Sequence, residues 1–368
     1  MSLPLIDDYT RLFLTDTPMI DVRAPVEFLQ GAFPTASNLP LINDEERHVI
    51  GVRYAQQGQE QAIALGHELV SGEVREQRIQ DWVAFTRQHP QGALYCFRGG
   101  MRSKISQQWI YDTTGVAYPR IRGGYKALRR FLLSELDNTV RTLEALVIGG
   151  RTGVGKTRLL ALLEQHIDLE GIYHHRGSSF GARVTPQPSQ IDIENTLAIA
   201  LLKHRHRLHR RLVMEDEAPN IGSRSIPTGL MQLMRQAPLL LVEADIGSRV
   251  EIVFDEYINL SLAEYQQAHG EMLGFELWAS HLRSALDRIE RRLGSQRHHS
   301  LRAILDDAIA QQRQCNDREG HKIWIRSLLL DYYDPMYDYQ LEKKTGRIVF
   351  RGEQADVLDF LQRQYGIR

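Results

Sequence analysis

The sequence predicts an α/β protein of two domains, the second built on a parallel sheet and extended by helices toward the carboxyl end. Three observations carry this reading. The chain has 368 residues, more than one hydrophobic core usually serves. A short apolar run, Ala93-Leu94-Tyr95, leads into a loop of cysteine, glycines and arginines. A second apolar run, Leu143-Glu144-Ala145-Leu146-Val147-Ile148, leads into another glycine loop followed by an amphipathic stretch.

Composition narrows the function classes. With 42% hydrophobic and 25% charged residues the chain reads as an ordinary soluble globular protein. A formal net charge of −1 argues against binding nucleic acid over the whole surface, so any such surface is a local patch. Two cysteines, Cys96 and Cys315, exclude a disulfide scaffold and leave too few for a cysteine-rich zinc site, so a reducing cytoplasm is expected. The amino terminus lacks a basic start and a long apolar stretch, and no run approaches a membrane span.

In chain order, Pro18-Met19-Ile20-Asp21-Val22-Arg23 is a short strand ending in charge. Glu45 to Trp82 is glutamine- and glycine-rich with helical periodicity. It is too long for a simple connection and reads as a helical insertion, either covering the Cys96 loop or elaborating the surface. Then comes Tyr95-Cys96-Phe97-Arg98-Gly99-Gly100-Met101-Arg102-Ser103. Cys96 stands at the end of a buried strand, and Gly99 and Gly100 allow backbone amides to converge on an anion. Arg98, Arg102 and the start of a helix near Ser103 favour a thiolate, the nucleophilic form.

These residues, with Asp21-Val22-Arg23-Ala24-Pro25-Val26-Glu27-Phe28 and Ile121-Arg122-Gly123-Gly124-Tyr125, resemble the rhodanese (sulfurtransferase) family over roughly the first 130 residues. The resemblance implies a small α/β domain whose cysteine carries a chalcogen, with Asp21 and Arg23 holding the loop. The Cys96 to Arg102 spacing is one residue longer than the commonest sulfurtransferase loop and makes a larger anion cradle. A phosphatase of the same fold would usually place histidine before the cysteine, where this chain has Tyr95.

A helical stretch from Ala127 to Arg141 marks the boundary, giving domains 1–135 and 136–368. After the second strand, Gly150-Arg151-Thr152-Gly153-Val154-Gly155-Lys156-Thr157 fits the P-loop pattern. Its amides, around Gly150, Gly153 and Gly155, would cradle a di- or triphosphate, Lys156 would neutralise the terminal oxygens, and Thr157 would hold magnesium. Gly171-Ile172-Tyr173 is expected as the next strand, Asp192 to His209 as a helix, and Arg211 to Glu217 as a strand ending in acids. Asp216 is the expected magnesium-organising carboxylate, with Glu215 as alternate. Leu239-Leu240-Leu241-Val242 is a further buried strand.

His174 and His175 lack a ligand partner at zinc spacing, so no metal site is assigned there; Arg176 is the expected phosphate or RNA contact. Lys203, Arg205, Arg207, Arg210 and Arg211, with no acid between Glu194 and Glu215, form a candidate RNA-backbone surface or a solvated helix end. Arg291, Arg292 and Arg297 extend the basic surface. The segment of about 261–330 is helical, with Phe275, Trp278, Leu282, Ala285, Leu286, Ile289 and Leu293 as a core stripe. Tyr337 to Leu341 and Arg347 to Phe350 read as a hairpin before a last helix, and Asp331-Tyr332-Tyr333-Asp334-Pro335-Met336-Tyr337 as either base-stacking or buried tyrosines.

Together, the Cys96 loop, the P-loop, His175-Arg176-Gly177-Ser178-Ser179-Phe180-Gly181, Glu215-Asp216-Glu217 and Tyr332-Tyr333-Asp334-Pro335-Met336-Tyr337 resemble the bacterial tRNA 2-selenouridine synthase family over nearly the whole chain. The fold class is then a rhodanese-like α/β domain plus a P-loop NTPase-like parallel-sheet domain with a C-terminal helical extension. The resemblance implies replacement of sulfur by selenium at carbon 2 of the wobble 2-thiouridine of tRNA, with selenophosphate as donor. It also implies geranylation of that sulfur by geranyl diphosphate as an intermediate step. Selenium would sit on Cys96 as a perselenide, or the loop would bind selenophosphate directly; the P-loop would take geranyl diphosphate or a nucleotide. A selenophosphate-producing enzyme is a candidate partner. The alternative is a cytosolic sulfurtransferase-coupled P-loop ATPase or kinase without an RNA substrate.

Overall fold

The computed structural model describes residues 2–367. They divide into two compact units: residues up to Arg141 with Ser189–Arg207, and Thr142–Pro188 with the chain from Leu208 onward.

The first unit runs β1 (Leu5–Ile6), α1 (Tyr9–Leu14), β2 (Met19–Asp21), α2 (Pro25–Leu29), β3 (Ala36–Asn38), α3 (Asp44–Leu69), α4 (Gly72–Gln88), β4 (Ala93–Tyr95), α5 (Met101–Thr114), β5 (Arg120–Ile121) and α6 (Gly124–Thr142). Its five strands are parallel in the order β1-β5-β4-β2-β3. The central strands β2 and β4 are wholly buried, as parallel strands covered on both faces must be. Leu128, Leu132 and Leu136, four apart on α6, are buried. The predicted helical insertion is α3 and α4. Asn43 starts α3 with a capping box to Glu46, and Gly58, at φ +85°, bends it midway.

The chain continues with β6 (Glu144–Gly149), α7 (Lys156–Leu160), α8 (Leu169–Tyr173), α9 (Gln190–His206), β7 (Arg211–Glu215), β8 (Asn220–Ile221), β9 (Arg224–Ser225), α10 (Thr228–Gln236) and β10 (Leu239–Val242). Helices α11 (Ile246–Phe254), α12 (Ser261–His269), α13 (Glu271–Arg288), α14 (Glu290–Leu293), α15 (Ser295–Cys315), α16 (His321–Leu328) and α17 (Asp334–Glu342) follow. Strand β11 (Ile348–Gly352) and α18 (Gln354–Tyr365) close the chain. The second unit's sheet is parallel, in the order β11-β10-β6-β7. The α/β expectation holds in both units. Trp278, Leu282, Ala285, Leu286, Ile289 and Leu293 are all buried, so the apolar stripe is core.

Three expectations need correction, and one reading left open is decided. Gly171-Ile172-Tyr173 is part of helix α8, because the Asp168 carboxylate accepts the Gly171 amide at 2.8 Å and starts a helical turn. The expected terminal hairpin does not form: Tyr337 to Leu341 lies in α17, and β11 instead pairs in parallel with β10, covered by Val357 and Leu361 of α18. Tyr332 and Tyr333 are buried, which removes them as base-stacking surfaces.

The third correction concerns α9, which belongs to the first unit, so the second is not a continuous stretch from residue 136. Its first turn is fixed there by polar contacts: the Ala32 amide donates to Asp192 Oδ1 at 2.7 Å, and Asn195 Nδ2 donates to the Ala32 carbonyl at 2.7 Å. Arg129 also donates to Asn195 Oδ1 at 2.9 Å. Leu197, Leu201 and Leu202 are buried. These partners lie more than 60 residues away in sequence, beyond the reach of local periodicity.

Candidate active sites: a cysteine loop and a phosphate loop

Cys96 follows the central strand β4 and is 3% exposed. Its Sγ donates to Ser103 Oγ at 3.2 Å, and that hydroxyl donates to the Gly100 carbonyl at 3.1 Å. Two amides of the first turn of α6 grip the loop: Tyr125 donates to the Cys96 carbonyl at 2.9 Å and Lys126 to the Phe97 carbonyl at 3.0 Å. Gly99, at φ +64°, lies so close to this turn that a Cβ would sit 2.8 Å from the Gly123 amide nitrogen. The end of α6 is therefore spent on the loop. The amides of Met101, Arg102 and Ser103 open α5, whose first intrahelical bond begins at Lys104, and these remain as anion donors.

The two predicted arginines behave differently. Arg102 donates to both oxygens of Glu27, one of them at 3.0 Å. Burial pushes the Glu27 carboxyl up, but the bond and charge of Arg102 outweigh it and hold Glu27 below the usual carboxylate range. Arg98 is exposed and lies over the Phe97 ring, 5.8 Å from its centroid. Local sequence did not point to Arg120, which donates to the Gly99 carbonyl; burial lowers its pKa, and the neighbouring Cys96 raises it. Its only signal was its strand, since β5 pairs with β4 through Leu94 and Arg120.

Asp21 and Arg23 are a fully buried ion pair, with Arg23 Nη2 also donating to the Gly31 carbonyl at 2.8 Å. The Val22 amide donates to the Tyr95 carbonyl at 3.0 Å. This agrees with a supporting role, and removing one partner would cost about 3–5 kcal/mol. Beside the loop, α3, α5 and the chain before α3 enclose a cavity of about 440 Å³.

In the second unit, β6 passes into the phosphate loop. Gly150 (φ +152°) and Gly153 (φ +83°) approach backbone so closely that a Cβ would lie 2.6 Å from the Val242 carbonyl and 2.8 Å from the Arg249 carbonyl. The buried pair Arg249–Asp334, at 2.6 Å, braces this loop, with Arg249 Nε donating to the Thr152 carbonyl at 2.9 Å. Lys156 Nζ donates to the Gly150 carbonyl at 3.1 Å. The helix after the loop, α7, is only five residues long, shorter than expected. A cavity of about 230 Å³ is lined by Lys156, Thr157, Glu170, Arg176, Glu215 and Glu217, and by Tyr257 and Tyr333 from two π-helical turns.

Three carboxylates crowd this cavity. Glu170, Glu215 and Glu217 offer oxygens within 4.8 Å of one another. Burial, then the charges of Glu215 and Glu217, push Glu170 up to about 9, and burial plus Glu215 push Glu217 up to about 7. Burial also raises Glu215 despite Lys156 and Thr157, and its Oε1 is buried without a hydrogen-bond partner. Hard oxygen donors of this kind, with the Thr157 hydroxyl beside them, fit a divalent cation.

Asp216 is not the residue beside Thr157. Asp216 also lines the cavity, but its carboxylate is taken up by Lys344 at 2.6 Å, while Glu215 is the acid that Lys156 and Thr157 act on. We expect Glu215→Gln to lower magnesium-dependent ligand binding about tenfold or more and Asp216→Asn to lower it less than threefold, read by titration calorimetry. A larger loss in the Asp216 variant would reverse this order.

Arg176, expected to contact phosphate or RNA, lies in the phosphate cavity. One end pairs with Glu264 at 2.6 Å, and Nη1 is buried without a partner. Neither His174 nor His175 joins the metal-capable group found among the described residues. The basic run is not a single helix face: α9 ends at His206, Leu208 takes φ +60°, and Arg211 starts β7. Lys203 pairs with Asp16, Arg205 with Glu135, and Arg210 and Arg211 with Glu144, while Arg207 is exposed. Among the described residues no helix is long and apolar enough to cross a membrane.

Comparison with known proteins bears out the family resemblance. The family described as "tRNA 2-selenouridine synthase AAA domain" matches residues 143–366. A tRNA 2-selenouridine synthase of Marinobacter nauticus is 50% identical over 351 residues, 95% of each chain. That of Bordetella bronchiseptica is 50% identical over 96% of each, and that of Pseudomonas fluorescens (strain Pf-5) 49% over 97% of this chain and 98% of its own. Similarity over nearly the full length removes the alternative of a sulfur-relay ATPase without an RNA substrate. The chain belongs to the tRNA 2-selenouridine synthase family, enzymes that exchange sulfur for selenium in tRNA.

Proposed function

We propose that the exchange runs in two stages on a tRNA whose wobble base is 2-thiouridine. In the first, the base sulfur attacks the allylic carbon of geranyl diphosphate; the carbon–oxygen bond breaks, diphosphate leaves, and the base loses its N3 proton. In the second, selenium from selenophosphate replaces the alkylated sulfur at carbon 2. Alkylation is what makes that sulfur a leaving group, since it departs as geranylthiol rather than as sulfide. The single observation behind this division is that the chain holds two anion-binding loops of different chemistry, one with a thiol and one with a lysine and a hydroxyl.

The P-loop amides, Lys156 and Arg176 hold the diphosphate. Magnesium, held by Thr157, Glu215 and their two neighbouring carboxylates, would screen the charge of the departing diphosphate. At the other loop, Cys96 attacks carbon 2 and expels geranylthiolate, which takes up a proton. The selenium of selenophosphate then displaces Cys96, and water cleaves the selenium–phosphorus bond to give phosphate. Every step is redox-neutral. A perselenide on Cys96 would hold selenium at a higher oxidation level than selenophosphate supplies, and the reaction provides no oxidant. Omitting selenophosphate should trap a Cys96–tRNA adduct detectable by mass spectrometry; its absence, with selenation intact, would mean direct attack by selenophosphate.

Lys203, Arg205, Arg207, Arg210 and Arg211 are proposed to track the tRNA backbone. Their ion pairs are partly to fully solvent-exposed, and such pairs contribute little, so phosphates can replace the carboxylates. Each phosphate contact contributes roughly 0.7–0.9 to the slope of log affinity against log salt, so charge reversal at Arg205 and Arg207 should flatten it by about 1.4–1.8. Different tRNAs should weaken alike, because phosphate contacts do not read bases. An unchanged slope would shift the assignment to Arg291, Arg292 and Arg297. A selenophosphate-producing enzyme must feed the site, and the tRNA substrate places the reaction in the cytoplasm.

A further inference from the structure

Helix α3 has 26 residues, yet Ala62 is its sole buried residue. A helix of that length is ordinarily held by an apolar face against a core. Here the inner face is apolar at helical spacing: Ile50 and Tyr54 lie before the Gly58 bend, and Ala62, Ile63 and Gly66 after it. All of them line the 440 Å³ cavity; Ile50 touches the edge of the core, yet it and Ile63 stay half-exposed toward the cavity. The opposite wall is α5, through Ile105 and Trp109, and it reaches Met101 and Arg102 of the cysteine loop itself. The bent helix thus wraps an apolar space whose mouth adjoins the anion-binding amides.

We propose that this cavity holds the geranyl chain of the alkylated base while selenium is delivered, and so fixes carbon 2 against the Cys96 loop. This rests on the two-stage reading above. The volume lies within the range of small-ligand sites, and the lining reaches Met101 and Arg102, whose amides open α5. The chain left on sulfur is the apolar group that must lie next to the cysteine loop in the second stage. Burying it completes the packing that α3 lacks, and each buried methylene favours binding about fourfold. The cavity therefore selects the geranylated intermediate over unmodified 2-thiouridine, which has nothing to place there.

The test uses full-length protein and anticodon stem-loops prepared chemically with S-geranyl- or S-methyl-2-thiouridine at the wobble position. With selenophosphate supplied, kcat/KM should favour the geranyl stem-loop by more than about tenfold. Ile63→Trp and Ile105→Trp, which fill the cavity, should bring the ratio toward one. A stem-loop whose geranyl chain ends in a diazirine should cross-link wild-type protein on α3 and α5, a measurement that needs no variant to fold. Equal rates on both stem-loops in wild-type protein, a ratio unmoved by either substitution, or cross-links lying elsewhere would overturn the assignment. Because the stem-loops are prepared chemically, these arms report on the cavity separately. Whether wild-type protein makes geranylated tRNA from geranyl diphosphate is a different measurement, and that one tests the two-stage reading.

Discussion

Replacing Cys96 with alanine is expected to lower selenium incorporation by at least about 10³-fold while geranylated tRNA still forms and accumulates. Cys96 is the thiol at the end of β4, in the loop proposed to bind the anionic reactant, and its Sγ donates to Ser103 Oγ at 3.2 Å. Covalent catalysis splits a hard displacement into two easier ones, and an alanine methyl offers no nucleophile. The side chain is small and the loop is anchored by backbone bonds to Tyr125 and Lys126, so the fold should survive. The measurement is nucleoside mass spectrometry of tRNA incubated with variant, selenophosphate and geranyl diphosphate. Undiminished selenouridine would remove Cys96 from the reaction; loss of geranylation as well would mean that the two loops act in one step.

Lys156→Ala is expected to weaken geranyl diphosphate binding roughly 10- to 100-fold and to stop S-alkylation, since a hydrogen bond to a charged group contributes about 1.5–3 kcal/mol. Lys156 also lowers the pKa of Glu170, Glu215 and Glu217, each held up chiefly by burial. Without it, an incoming diphosphate meets carboxylates with Arg176 as the remaining cationic side chain that lines the cavity. The variant should still selenate a stem-loop already carrying S-geranyl-2-thiouridine. Calorimetry with geranyl diphosphate and with ATP identifies the ligand. Tight, Lys156-dependent binding of ATP with none of geranyl diphosphate would assign the P-loop to a nucleotide.

What was legible in the sequence was local. The cysteine loop and the P-loop are contiguous segments whose glycines are required by positive φ at Gly99, Gly153 and Gly155, so their residue order already implies their shape. The core stripe of α13 follows from period alone. What escaped notice depends on residues distant in sequence: Glu27 on Arg102, 75 residues apart, Arg120 against Gly99, and Glu170 facing Thr157. Asp216 and Glu215 illustrate the limit within a motif, since which of two adjacent acids is left to Lys156 and Thr157 depends on Lys344, 128 residues from Asp216. The short strand expected at Gly171 failed for a local reason, as Asp168 is a helix cap that an apolar count does not weigh.

The placement of α9 has a consequence for how the protein is made. The chain leaves the first unit at Arg141, returns at Ser189 and leaves again after Arg207, so that unit lacks its last helix until the ribosome has passed the P-loop. Until then Ala32 and Arg129 have no Asp192 or Asn195 to bond, and the early segment of the second unit, β6 through α8, waits in turn for β7 and β10. Domains that fold one after another from the amino end avoid this, because each is complete when the next begins to emerge. Here the first unit is completed only after the second has begun to emerge, so the first-unit segments of a nascent chain stalled near residue 150 should remain open to protease where those of a chain stalled well beyond residue 207 are protected.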